Sequence, residues 1–317
     1  MKTRQLGTNG PHLTEIGFGA WALGGPWKFG WGKTDDEESI RAIRKGIDLG
    51  INWIDTAAVY GLGHSEEIVG RAVAGLRHRM FIATKCSQVW DERGTVRTHA
   101  GPQSIRAELE SSLRRLKTDY IDLYQIHWPD RETPVEDTWG EMARLRQEGK
   151  IRYIGVSNFG VDLLSRCESI AHVQSLQPIY NLLEKDIEKE ILPYCRAHGI
   201  GIVAYSPMQS GLLTGSFNRT RLAADDWRIV HSEKFREPKF SRGLRIVEGL
   251  RPVAGKYGMT VGQLAVAWVL MNTGITSAIV GARSSNQVGQ NVASSGWRID
   301  EADMQTVGEL LSLESGR

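Results

Sequence analysis

Cysteine is scarce in this chain, with three among 317 residues. Cys86, Cys167 and Cys195 are an odd number, and no two of them form a C-x-x-C pair. This pattern argues against a disulfide framework and against a zinc knuckle. It is typical of a protein in a reducing compartment.

Long apolar runs and a secretory signal are also missing. The opening residues MKTRQLGTNG contain no apolar signal core. The longest apolar run, LAVAWVL within 261–271, is shorter than the roughly 20 residues needed to cross a bilayer. We therefore predict a buried helix at 261–271 and a soluble, cytoplasmic protein with no membrane partner.

Charge of one sign is not in excess. Lys and Arg number 39 against 37 for Asp and Glu, and the pI is about 8.4. Basic residues occur in short clusters such as 77–79 and 114–117, and there is no extended basic stripe. We therefore expect no nucleic-acid partner.

Two phosphate-binding motifs are incomplete. GWGKT at 30–34 resembles the end of a P-loop, but Trp27 stands where that motif requires its first glycine. GFGAWALGG near residue 18 does not make a G-x-G-x-x-G turn, because Ala22 occupies the third glycine's place. The sequence thus disfavours the open doubly wound sheet, which stays as the alternative architecture.

Eight short β-rich runs alternate with helical segments of three- and four-residue apolar spacing, the clearest of which follows Gly101-Pro102. Strands separated by helices imply right-handed crossovers and a parallel sheet. Eight such units predict an α/β fold, a closed (β/α)8 TIM barrel in a single domain of residues 1–317. The runs lie at 16–20, 52–55, 81–84, 121–126, 151–157, 176–177, 201–205 and 277–280.

Three local patterns refine this architecture. Two short apolar stretches flank Asn9-Gly10, which predicts a β-hairpin that covers the bottom of the barrel. The charged, irregular segment 209–245 is long for a loop in a compact domain, so we predict a lid. Thr34 with Glu37, and the corresponding pattern at 133–136, predict capping boxes at two helix starts.

Three neighbouring apolar strands each end on an ionisable residue, namely Asp55, Lys85 and His127. Tyr60 lies in the glycine-flanked loop that leaves the first of these strands. In barrels of this kind, catalytic groups lie at the C-terminal ends of the strands. We therefore expect these four side chains to meet at the mouth of the barrel.

The chemistry of these four residues favours carbonyl reduction. Lys and Tyr are poor zinc ligands, so no metal site is predicted, and no G-x-S-x-G elbow is present. A charged Lys85 is expected to lower the pKa of Tyr60 from its ordinary value of about 10 and make it a proton donor near neutral pH. His127 and the Tyr60 hydroxyl can both hydrogen-bond a carbonyl oxygen. A Schiff base at Lys85 would require a neutral lysine, which Asp55 opposes.

Several motifs resemble those of the aldo-keto reductase superfamily over nearly the whole chain, from 17 to about 291. They are DTAAVYGLGHSEEIVG, DYIDLYQIHWPD, GKIRYIGVSNF and AYSPMQSGLLTG. The opening GAWALGGPWKFGWGKTDDEESIRAI and the later VGARSSNQ are most similar to bacterial general-stress and inositol-type reductases. The resemblance implies a (β/α)8 barrel that reduces aldehydes and ketones with NADPH, with a catalytic tetrad of Asp55, Tyr60, Lys85 and His127.

The resemblance also implies a set of cofactor residues. Among them, Ser157, Asn158 and Gln177 would hold the nicotinamide carboxamide, and Tyr205 would stack under the ring. Arg283 can supply a bidentate contact to a 2′-phosphate, so NADPH is expected in preference to NADH. The full set is Trp21, Ser157, Asn158, Gln177, Tyr205, Ser206, Met208, Gly211, Leu212, Gly281, Arg283, Gln287, Gln290 and Asn291.

The substrate is expected to be a small-molecule carbonyl compound, namely an aldehyde, a ketone or a sugar. Trp27, Trp90 and Trp128 fall in or beside loops at the mouth and are predicted substrate contacts, which suits a hydrophobic or aromatic aldehyde. Two other functions remain open. One is an NADPH-bound sensor or regulatory subunit, as the potassium-channel β-subunits of the same superfamily are, and the other is a lyase that uses Lys85 covalently.

Overall fold

Eight parallel strands close into a barrel in this computed structural model, which describes residues 1–222 and 226–315. Strands β3, β4, β5 and β8–β12 form it, and β12 pairs with β3 to close the ring. In chain order the strands are β1 (Thr3–Gln5), β2 (His12–Thr14), β3 (Ile16–Gly19), β4 (Trp53–Asp55), β5 (Phe81–Cys86), β6 (Gln88–Trp90), β7 (Val96–Thr98), β8 (Ile121–Ile126), β9 (Ile151–Ser157), β10 (Ser175–Gln177), β11 (Gly201–Ala204) and β12 (Ser277–Gly281). Each of the eight predicted runs is a barrel strand, which confirms the predicted fold over the open sheet.

Helices follow the barrel strands and cover their outer faces. They are α1 (Asp36–Asp48), α2 (His64–Ala72), α3 (Pro102–Leu116), α4 (Val135–Gln147), α5 (Val161–Glu168), α6 (Ile191–His198), α7 (Trp227–Val230), α8 (Lys239–Lys256), α9 (Val261–Met271), α10 (Ser285–Val292) and α11 (Glu301–Ser315). Helix α9 is the predicted apolar helix, and nearly all of its residues are buried. Among the described residues, no helix combines the length and apolarity that crossing a membrane requires.

The bottom of the barrel is filled from the hairpin and from one large indole. Strands β1 and β2 pair antiparallel, and Leu6 and Leu13 beside them are fully buried against Trp53. The Trp53 indole donates hydrogen bonds to the Thr14 carbonyl at 3.2 Å and to the Ser277 hydroxyl at 3.1 Å. The hairpin thus lies at the N-terminal ends of the strands, which confirms its prediction as a cover.

Helix starts differ from the predicted capping boxes. The carboxylate of Asp35, and not Thr34, accepts from the first backbone amides of α1. Helix α4 follows Pro134 without a side-chain cap. Both predictions were wrong, because the chain enters each helix one residue later than the S/T-x-x-E pattern implies. A capping box joins Thr260 and Gln263 at the start of α9.

The segment between β11 and α8 crosses the mouth of the barrel. It contains 3₁₀ turns and the short helix α7, while residues 239–245 of the predicted loop already belong to α8. The Trp227 ring lies 5.2 Å from the Trp21 ring, centroid to centroid, so this segment contacts the loop that follows β3. Its movement as a lid stays a prediction.

Candidate active site

The four predicted catalytic side chains meet at the C-terminal ends of β4, β5 and β8. The Lys85 ammonium donates hydrogen bonds to Asp55 Oδ1 at 2.7 Å, to the Thr56 carbonyl at 2.8 Å and to the Tyr60 hydroxyl at 3.1 Å. The His127 ring packs edge-on against the Tyr60 ring, with centroids 5.7 Å apart. One lysine therefore joins a carboxylate to a phenol, next to an imidazole.

Burial controls the protonation of this group. It raises the pKa of Tyr60 well above its ordinary value of 10.0, and the charge of Asp55 adds to that shift. The expected lowering of the pKa of Tyr60 is therefore wrong for the protein alone, because burial and the charge of Asp55 raise that pKa instead. A phenol that stays protonated is the form that can donate a proton.

The imidazole of His127 is kept neutral. Burial lowers its pKa well below 6.5, and the charge of Lys85 contributes to the same shift. Its Nδ1 atom is buried without a hydrogen-bond partner among the described residues. A neutral imidazole beside a protonated phenol can present two hydrogen-bond donors to a single oxygen.

A cleft of about 1060 Å³ opens from this group across the barrel mouth. Most of the predicted cofactor and substrate residues line it. In the described part of the chain, the cleft lining contains neither Trp90 nor Leu212. Trp90 ends strand β6 with the Arg115 guanidinium 5.9 Å from its ring, and its role as a substrate contact stays a prediction. Leu212 is buried in an apolar cluster with Phe235. The residues that do line the cleft are Trp21, Trp27, Trp128, Ser157, Asn158, Gln177, Tyr205, Ser206, Met208, Gly211, Gly281, Arg283, Gln287, Gln290 and Asn291.

One polar patch lies beside the four catalytic candidates, at the ends of β9, β10 and β11. Asn158 has a left-handed backbone with φ 62°, and its amide donates to the His127 carbonyl at 3.1 Å. The Tyr205 hydroxyl donates to Asn158 Oδ1 at 3.0 Å. The Ser157 hydroxyl donates to the Gln177 carbonyl at 2.8 Å. Such a fixed set of amide and hydroxyl groups suits a ligand carboxamide.

The turn after β11 has the geometry of an anion site. Ser206, Gln209 and Ser210 all have positive φ, between 46° and 55°. Successive amides in such conformations form concave nests that bind anions. The buried Asn181 amide holds this turn by donating to the Ser206 carbonyl at 2.9 Å and to Gln209 Oε1 at 3.3 Å. Sequence reasoning missed Asn181, whose only signal is an Asn in the loop after β10.

A cation, Arg283, lies on the cleft lining beside Trp31. The Arg283 backbone amide donates to Gln287 Oε1 at 2.8 Å, and its guanidinium donates to the Trp31 carbonyl at 3.2 Å. The Asn291 amide donates to the Gly281 carbonyl at 3.1 Å. Together with the turn after β11, this exposed arginine places a cation and a set of strained backbone amides on the lining of one cleft.

Aromatic side chains lie near the Tyr60 ring. The rings of Trp21 and Trp27 each lie 6.4 Å from the Tyr60 ring. Trp227 also lines the cleft, and sequence reasoning missed it because no motif marks the irregular segment it occupies. Trp128 is 45% exposed at the rim. This end of the cleft is therefore an apolar, aromatic cup.

Residues 1–222 and 226–315 contain no set of side chains suited to bind a metal ion. No group of three or more His, Cys, Asp or Glu side chains there is placed to hold a metal ion. The charged carboxylate at the mouth, Asp55, is already paired with Lys85.

Comparisons with known proteins find similar sequences and structures over nearly the whole chain. The sequence model of the aldo/keto reductase family matches residues 15–312. The NADH-specific methylglyoxal reductase of Escherichia coli (strain K12) is 34% identical, and the match covers 98% of each chain. The solved glycerol dehydrogenase of Gluconobacter oxydans is 40% identical with a TM-score of 0.89, covering 99% of this chain and 96% of that one. An aldo/keto reductase from Klebsiella pneumoniae, solved with NADP and acetate, is 30% identical with a TM-score of 0.76, covering 98% and 96%.

Proposed function

This chain belongs to the aldo/keto reductase family, and on that premise we propose that it reduces uncharged aldehydes or ketones to alcohols with NADPH. Tyr60 is the proton donor in this proposal. The observation that carries it is the contact between the Lys85 ammonium and the Tyr60 hydroxyl at 3.1 Å, at the base of an aromatic cup.

Each side chain has a distinct task in the proposed reaction. The bound nicotinamide cofactor supplies the hydride. The Tyr60 hydroxyl and the neutral His127 ring hydrogen-bond the carbonyl oxygen, and Tyr60 gives that oxygen its proton as negative charge develops there. Lys85, held by Asp55, stabilises the phenolate that Tyr60 becomes.

The preference for NADPH rests on Arg283. This residue is exposed on the cleft lining, its guanidinium lies beside Trp31, and it can form a bidentate contact with a 2′-phosphate. The NADP-bound Klebsiella reductase supports this preference. The NADH-specific Escherichia coli relative argues the other way, so the two cofactors are to be compared directly.

The substrate class follows from the charge of the cup. The cleft lining that includes Tyr60 contains aromatic rings together with Val59, Gln88 and Val96, and the Asp55 carboxylate is paired with Lys85. A substrate carboxylate would lose its hydration among these rings, and Lys85, the cation in contact with Tyr60, is already paired with Asp55. Neutral aldehydes and ketones, including aromatic and short hydroxylated ones, fit this cup.

The test is oxidation of NADPH followed by absorbance, with neutral aromatic and short aliphatic aldehydes and a carboxylate-bearing aldehyde as the charge control. Tyr60→Phe is expected to lower kcat by roughly 10²- to 10⁴-fold, because the variant keeps the ring but loses the proton. Arg283→Ala is expected to lower kcat/KM with NADPH by about 10- to 100-fold and to leave that with NADH nearly unchanged.

Two results would contradict the proposal. Tight NADPH binding without turnover of any carbonyl compound would favour a cofactor-bound regulatory protein. Full activity of Tyr60→Phe would remove Tyr60 as the proton donor.

A further inference from the structure

Gln177 ends strand β10 and is 2% exposed. Its side-chain amide faces the catalytic group, where Nε2 donates a hydrogen bond to Asp55 Oδ2 at 2.8 Å. The other oxygen of the same carboxylate accepts from Lys85 at 2.7 Å. Asp55 is therefore held from two sides, by a lysine on the neighbouring strand β5 and by an amide from across the barrel.

We propose that Gln177 is a positioning residue for proton transfer, because it orients Asp55 and through Asp55 holds the Lys85 ammonium against the Tyr60 hydroxyl. This inference rests on the proposed function, since it concerns the same proton donor. It goes beyond the role in carboxamide binding that the family resemblance implies for this residue.

The buried position of Asp55 gives the amide its importance. Asp55 is 3% exposed, and a buried carboxylate needs a donor for each oxygen. Without the amide hydrogen of Gln177, Oδ2 loses the hydrogen bond that opposes the pull of Lys85. The carboxylate can then rotate, and the contact of 3.1 Å between Lys85 and Tyr60 is no longer fixed.

The backbone of Gln177 ties the same residue to the polar patch proposed for the carboxamide. Its carbonyl accepts from the Ser157 hydroxyl at 2.8 Å and from the Asn158 backbone amide at 3.2 Å. Gln177 is thus a direct link between the two halves of the site. Its backbone carbonyl accepts from Ser157 and Asn158, which are proposed to bind the cofactor, and its side chain donates to Asp55, which holds the proton-donor group.

In a Gln177→Glu variant, the new carboxyl group would lie next to one acidic group at the mouth, Asp55. The other titratable groups packed around Asp55 are a lysine, an imidazole and phenols. They are Tyr60 from the loop after β4, Lys85 from β5, His127 after β8 and Tyr205 after β11, with Glu66 of α2 behind Lys85.

The test compares Gln177→Met and Gln177→Glu by their kcat at saturating NADPH across a range of pH. Gln177→Met is similar in size but lacks the donor, and its kcat is expected to fall about 10- to 100-fold at every pH. Gln177→Glu can still donate to Asp55 while its carboxyl is protonated. Its kcat is therefore expected to stay near wild type at low pH and to fall as pH rises and two carboxylates face each other.

Ser157→Ala is the matched control, because it removes a hydrogen bond to the Gln177 carbonyl and leaves Asp55 untouched. It is expected to raise KM for NADPH and to keep the wild-type pH profile of kcat. Circular dichroism verifies folding of each variant. If Gln177→Met does not fold, the pH profile of Gln177→Glu decides alone.

A Gln177→Glu protein with the wild-type pH profile, changed only in KM for NADPH, would overturn the inference and assign Gln177 to the cofactor alone. Absence of turnover in the wild-type protein with either nicotinamide cofactor would instead overturn the proposed function.

Discussion

Glu108 of α3 lies behind the catalytic strands, and its carboxylate has an incomplete set of hydrogen-bond partners among the described residues. Its Oε1 atom accepts from the Ser104 hydroxyl at 3.2 Å, whereas Oε2 is buried without a partner among the described residues. Burial raises the pKa of Glu108 from 4.5 to about 7, although hydrogen bonds from Ser87 and Ser104 oppose the shift. The folded protein therefore binds this proton more tightly than the unfolded chain does.

The sign of the stability effect follows from that difference. The stabilisation from Glu108 is fully present below a pH of about 4, and it is lost as pH rises through about 7. Glu108→Gln removes the titration. The free energy of unfolding of Glu108→Gln, minus that of the wild type, is expected to be roughly 2 to 3 kcal/mol larger at pH 8 than at pH 4.5. Urea denaturation at both pH values measures this gain, and equal differences at the two values would contradict it.

Sequence reasoning locates residues better than it predicts their environment. Asp55, Lys85 and His127 were found because each ends an apolar strand, and strand ends are visible in the sequence. The pKa of Tyr60 was predicted with the wrong sign, because the sequence shows that a lysine is near but not how deeply the phenol is buried. Asn181 was missed because a single Asn in a loop does not show which turn it holds.

Among the structural elements, the short strands and helices within loops determine which side chains line the cleft at the barrel mouth. The eight strands were predicted from apolar runs, but the hairpin of β6 and β7 was not, because its strands are short and half-buried. That hairpin places Gln88 and Val96 on the cleft lining and Trp90 beside Arg115. The segment that contains α7 brings Trp227 into the cleft, and its irregular sequence gave no sign of this contact.

Arg228 fixes that segment over the mouth. Its side chain is 10% exposed, donates to both carboxylate oxygens of Asp226 at 2.8 and 2.7 Å, and lies 4.8 Å from the Trp31 ring. We expect Arg228→Ala to free the segment, to speed its cleavage in limited proteolysis and to weaken NADPH binding by about tenfold. Titration of protein fluorescence measures the Kd.

Lys239→Ala is the control for this variant, because Lys239 is 65% exposed at the start of α8 and its contact with Glu233 is long, at 4.0 Å. Wild-type Kd and wild-type cleavage in Arg228→Ala would show that the segment is held by other contacts.

For the molecule as a whole, stability and chemistry lie at opposite ends of the barrel. The bottom is filled by Leu6, Leu13 and Trp53, all fully buried, whereas the mouth holds the cleft and the strained turns. The overall architecture could be predicted because it depends on the alternation of strands and helices. The division of tasks between the two ends follows from the direction that all the parallel strands share.

Trp53→Ala tests this division. Removing a fully buried indole is expected to cost about 3 to 5 kcal/mol of unfolding free energy. The activity at low temperature is expected to stay within a few-fold of wild type, because Asp55 rather than Trp53 lies at the mouth end of β4. Urea denaturation and the NADPH assay measure the two effects. Trp128→Ala, at the exposed rim, is expected to lower the activity and to leave the free energy of unfolding nearly unchanged.

The fit between Gly17 and Trp53 has a consequence for protein engineering. A β-carbon on Gly17 would lie 2.1 Å from the indole, so the ring occupies a space that the glycine leaves open. The two positions share one volume. Both residues could therefore be replaced together, with a smaller side chain at 53 and a larger one at 17. Such a pair of substitutions would refill the base of the barrel and leave the catalytic mouth unchanged.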